Sequence, residues 1–106
     1  MTASLEPVGE GRFKVAGELS FATVNTLWQQ GAQLFAPHSA LLVDLQGVTR
    51  ADSAGVALLV EWLRQARLRS QILQFAHIPP QMRSIIAIAD LDRVLPVCSD
   101  IVTDIQ

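Results

Sequence analysis

The apolar positions of this chain change their period several times, and each change marks an element. Leu5 and Val8 precede Gly9-Glu10-Gly11, a turn signal, and Phe13 and Val15 follow it. Alternation on both sides predicts two short strands, near Leu5 to Val8 and Arg12 to Ala16. From Phe21 the spacing lengthens to that of a helix. Val24, Leu27, Trp28, Gly31, Leu34 and Phe35 recur on one side, with Ser20 as N-cap and Pro37 beyond the end. Trp28 falls within this spacing and reads as core. Leu41 to Leu45, "LLVDL", is an apolar run broken only by Asp44, short enough for a buried central strand. A second helix is predicted from about Ala54 to Arg69, then a strand over Ile72 to Phe75. Pro79-Pro80 opens a third helix that should bury Met82, Ile85, Ile86 and Ala89. "RVLPVCSD", Arg93 to Asp100, offers a last strand interrupted by Pro96, which favours a sheet edge. The tail from Ile101 to Ile105 reads as a frayed final turn.

Strands alternating with helices imply crossover connections, mostly parallel pairing, and helices covering a sheet. The class is therefore α/β. The 106 residues fit one domain with one core, taken as 1–106. Half of the residues are hydrophobic and Cys98 is the single cysteine, so the core does not rely on disulfides and suits a reducing compartment. A formal net charge of −2 gives no electrostatic case for nucleic acid. The N-terminus lacks a basic region followed by an apolar run, and no apolar stretch nears the roughly 20 residues of a membrane span. A cytoplasmic protein without direct membrane insertion is expected.

The chemistry concentrates at Asp52-Ser53-Ala54-Gly55, in the loop leaving the central strand, where strand ends and helix N-termini form sites in such sheets. A helix start needs one capping side chain, yet Asp52 and Ser53 both qualify. Either could accept a bond from an early helix N–H, an effect of about 1 kcal/mol. A phosphoryl group on Ser53 would add roughly −1.5 to −2 charges where the helix dipole tolerates them, so the fold would survive while a docked partner was repelled. On a helical wheel Val56, Leu59, Val60 and Leu63 face the sheet. The opposite side carries Ala54, Ala57, Leu58, Glu61, Gln65 and Leu68, a face with one charge that a partner could approach closely. Scattered surface Ala and Leu are also ordinary. Arg64, Arg67 and Arg69 complement the C-terminal end of the helix dipole.

Catalysis is poorly supported. There is no G-x-S-x-G elbow, and the two histidines, His38 and His77, lie beside strand ends as solvated or hydrogen-bonded loop residues. A G-x-x-x-x-G-K-[ST] loop is absent, so any ATP chemistry belongs to a partner. No Cys/His cluster points to a metal, and no cofactor is expected.

"GEL" at Gly17 to Leu19, "LLVDL" at Leu41 to Leu45 and "DSAGVALL" at Asp52 to Leu59 occur together in order and spacing. In this the chain resembles the STAS-domain family, which includes anti-sigma-factor antagonists and sulfate-transporter tails. The resemblance covers nearly the whole chain and implies a small mixed sheet of about four or five strands with helices mainly on one face. In the anti-sigma-factor antagonists, a partner kinase phosphorylates the residue after the motif Asp, here Ser53. Their usual D-S-[ST]-G differs from this chain at Ala54. The motif, with Leu27-Trp28 in the first helix, is more similar to the STAS subunits of Mla-type phospholipid transporters. That likeness implies a non-enzymatic subunit that binds and activates an ABC ATPase, with a permease and a substrate-binding protein in the same complex. The contact residues it implies are Asp52, Ser53, Ala54, Gly55, Ala57, Leu58 and Glu61.

Overall fold

A computed structural model describes residues 2–91, 93 and 95. The expected last strand and final turn, together with Cys98, lie outside the described residues, apart from Arg93 and Leu95. Leu95 is buried in the core. The elements are β1 (Ala3–Gly9), β2 (Arg12–Leu19), α1 (Val24–Leu34), β3 (Ala40–Ala51), α2 (Ser53–Leu68), β4 (Ile72–Ala76) and α3 (Pro80–Ile88). The strands form one sheet in the order β1-β2-β3-β4. β1 and β2 are an antiparallel hairpin, whereas β2 with β3 and β3 with β4 are parallel. Gly11 takes φ +69 in the hairpin turn, and a Cβ there would lie 2.5 Å from the carbonyl oxygen of Ala40. Only glycine meets both demands.

Alternation along the strands decides which face is covered. Leu5, Phe13, Val15, Leu41, Val43, Leu45, Leu73 and Phe75 are buried, while Glu6, Lys14 and Gln74, on the other parity, are exposed. The helices pack mainly on the apolar face, which makes this a mixed α/β sheet of the expected kind. Asp44, the one polar residue in the central run, points the other way. Its Oδ1 bonds His77 Nδ1 at 2.9 Å and accepts from the Gln46 amide at 2.9 Å. Among the described residues no helix is long and apolar enough to cross a membrane.

Three expectations about the helices need correction. Ser20 is not the cap of α1: the helix starts after a turn in which Thr23 Oγ1 accepts from the Ser20 amide at 3.0 Å and donates to the Glu18 carbonyl at 2.7 Å. That exchange ties the chain leaving β2 before the helix begins. Ala89 is the exposed C-cap of α3, so that helix buries Met82 and Ile86, with Ile85 half-buried. The third correction concerns α2, which is buried over a wider arc than its apolar wheel predicted. Gly55, Val56, Leu58, Leu59, Trp62, Leu63 and Ala66 are all buried. The cause is position: α2 touches α1 on one side, α3 on the other, and β3 and β4 beneath.

Glycine sets two of these contacts. A Cβ on Gly31 would fall 2.6 Å from Trp62 Nε1, so α1 crosses α2 directly over the indole. A Cβ on Gly55 would fall 2.8 Å from Leu19 Cβ, so the first turn of α2 rests on the end of β2. Trp62 also meets Phe35 edge to face, with ring centroids 5.3 Å apart.

Candidate docking groove beside Ser53

The motif sits where one residue, Asp52, separates β3 from α2. Asp52 is extended at φ −121, ψ −166, and its Oδ1 accepts from the Ala54 amide at 2.8 Å. The capping role therefore falls to Asp52. The Ser53 side chain, first in the helix and exposed, makes no hydrogen bond among the described residues. Of the two polar residues that open the motif, one has a structural task and the other presents a hydroxyl at the positive end of a helix of 16 residues.

Beside Ser53 lies a groove of about 560 Å³ between α1 and α2. Ser53, Ala54, Ala57, Leu58 and Glu61 line it from α2, and Val24, Asn25 and Trp28 from α1, with Phe21 at its mouth. Asn25, Ser53 and Glu61 are its only polar lining residues among those described, and Glu61 is paired with Arg64 at 3.4 Å. Phe21 is 88% exposed, the most exposed large apolar side chain described. An apolar concavity with few polar groups at its rim is the general form of a binding site.

Two expected contact residues fall outside the groove. Gly55 is buried against Leu19. Asp52 faces the opposite side, into a separate polar hollow of about 380 Å³ with Glu18, Ser20, Arg50 and Gln81 among its walls. The outward wheel face also divides. Leu58, expected on open surface, is only 4% exposed and forms the groove floor, because α1 covers that side of α2. Leu68 is 72% exposed but lies at the far end with Val60 and Leu63. Trp28, expected in the core, is half-buried and forms a groove wall.

The α1 side was missed for a physical reason. Phe21, Val24 and Trp28 form their own i, i+3, i+7 stripe, beside the buried stripe of Leu27, Gly31 and Phe35. Both have helical period, so the sequence read them as one face. Among the described residues no cluster of three or more His, Cys, Asp or Glu could hold a metal.

A protein-family model described as "Mlab, STAS domain" matches residues 6–98. The chain belongs to this family of STAS domains, which are regulatory, non-catalytic modules. Among solved structures it is similar to an anti-sigma factor antagonist from Mycobacterium paratuberculosis, at 24% identity and a TM-score of 0.73, covering 98% of this chain and 92% of that one. It is similar to the phosphorylated form of SpoIIAA, a Bacillus cell fate determinant, at 16% identity and a TM-score of 0.67, covering 99% of this chain and 100% of that one. It is also similar to a chain of the Acinetobacter MlaFEDB complex in an ATP-bound conformation, at 29% identity and a TM-score of 0.66, covering 82% of this chain and 93% of that one. No curated protein matches the chain. The fold and family together define a regulatory STAS domain.

Proposed function

We propose that this chain is a regulatory subunit that docks a partner protein into the α1–α2 groove and that Ser53 governs the docking. The observation that carries this reading is the position of an exposed serine hydroxyl at the edge of an apolar groove. A partner that fills the groove must also cover Ser53. A phosphoryl group at that position keeps the helix start intact, since negative charge is favourable there, yet it resists desolvation by an apolar contact.

Two partner classes fit. Likeness to several anti-sigma factor antagonists, one of them solved in its phosphorylated form, supports a soluble anti-sigma factor with kinase activity, and this reading has the broader support. The second reading rests on a specific observation, the family description together with the likeness to a chain of the MlaFEDB complex. In it the partner is the ATPase of a phospholipid ABC transporter, and the chain sits at the cytoplasmic face of the inner membrane through that complex. Stabilising and activating the ATPase would then help maintain outer-membrane lipid asymmetry.

The two are separated by co-expressing the chain with each candidate from the same genome and measuring what co-purifies. Ser53→Asp and Ala57→Arg should each lower capture of the true partner by about tenfold or more while leaving the chain folded. Undiminished capture of a partner by both variants would remove the groove from the interface.

A further inference from the structure

The junction that carries Ser53 is held from two sides, and one side is supplied by α3. β4 pairs with β3 only from Ala40↔Ile72 to Asp44↔Ala76. β3 nevertheless continues to Ala51, so its last residues run beyond β4 with a strand neighbour only on the β2 side. An overhanging strand end of this sort leaves backbone donors without a ladder partner. On the β2 side the next residue is fixed, because the Asp52 amide donates to the Leu19 carbonyl at 3.1 Å. On the other side the Ala51 amide donates to Gln81 Oε1 at 2.9 Å. Gln81 is the second residue of α3, which is anchored by the buried Met82 and Ile86 and started by Pro79-Pro80. Arg83 Nε donates to the Ile78 carbonyl at 3.2 Å and fixes the same turn.

We propose that Gln81 is a positioning residue for the Ser53 site: its side-chain oxygen replaces the missing β4 partner and sets the direction in which β3 hands the chain to Asp52 and Ser53. Gln81 does not line the docking groove. It acts through Ala51, two residues before Ser53. The positioning role rests on the docking reading above, so the test has one arm that does not need a partner.

Full-length chain is prepared as wild type, Gln81→Met and Gln81→Glu. Met keeps the length of the side chain and removes the acceptor, whereas Glu keeps an oxygen acceptor at a helix start that favours negative charge. In the first arm, amide exchange and 1H–15N resonances are recorded. Gln81→Met should speed exchange at Ala51 by about threefold to tenfold, the worth of one hydrogen bond, and displace the resonances of Asp52, Ser53 and Ala54. Gln81→Glu should restore both. Unchanged exchange in Gln81→Met, or equal loss in both variants, overturns the proposal. In the second arm, whichever candidate partner captures wild type is titrated, and Gln81→Met should weaken it about threefold to tenfold with recovery in Gln81→Glu. Faster exchange with undiminished binding would also overturn the positioning role. Should wild type capture neither partner, the docking reading fails while the exchange arm still decides whether Gln81 sets the junction.

Discussion

Ser53 and Leu58 show how far a single position depends on what lies across from it. Ser53 follows the cap instead of forming it, so Ser53→Asp places a carboxylate in the first turn of α2 without removing the Asp52 bond to Ala54. Stability should stay within about 1 kcal/mol of wild type in denaturant titration, with the loss confined to partner binding. Leu58 behaves in the opposite way. On an open face Leu58→Arg would be a clean interface variant, but at the floor of the groove it buries a charge without a partner. It should cost about 3 kcal/mol or more and leave little folded protein on expression. Ala57 is exposed on the same groove, so Ala57→Arg is the variant that separates folding from docking. A melting point for Leu58→Arg equal to that of wild type would mean that α1 does not cover this side of α2.

At the scale of elements, α1 and α2 have one close end, and the groove lies between their N-terminal halves. The close end is the crossing of Gly31 over Trp62, with Phe35 edge-on to the same indole. Trp62 is 2% exposed, and its Nε1 has no hydrogen-bond partner among the described residues, which close helix packing at Gly31 offsets. Gly31→Ala should lower stability by about 1–3 kcal/mol, because the added methyl meets a ring that Phe35 and α1 prevent from retreating. The same substitution should also widen the groove and weaken docking. If Gly31→Ala proves neutral in stability, the helices are not in contact at that crossing. Under the crossing, Leu59 is fully buried against the sheet, and Leu59→Ala should cost about 2–5 kcal/mol.

At the largest scale, one core cluster joins the four strands and three helices of the described residues. We expect the chain to unfold as a single cooperative unit, with far-UV circular dichroism and tryptophan emission giving the same midpoint. The two tryptophans report different events. Trp62 is buried and should respond only to unfolding, whereas Trp28 is a wall of the groove and is reached from solvent. Binding of the true partner should therefore protect Trp28 from acrylamide quenching in a Trp62→Phe background. Unaltered quenching at saturating partner would place the contact elsewhere.

The elements and their order were legible in the sequence because period is a local property. Alternation marked β1 and β2, the "LLVDL" run marked the first part of β3, and helical spacing marked α1, α2 and α3. The site was legible in part for the same reason, since Asp52 and Ser53 announce a helix start by their chemistry alone. What period cannot supply is the identity of the neighbour. The full length of β3 came from pairing with β2 as far as Leu19↔Ala51, where no apolar run continues. Leu58 and Trp28 exchanged their expected places because α2 lies between two helices and α1 covers the side of α2 that carries Leu58. Gln81 carried no local signal at all, for its bond to Ala51 spans 30 residues and exists only where β3 outruns β4. A sequence fixes which face of an element is apolar; only the packed chain decides whether that face meets the core, a second helix, or an open groove.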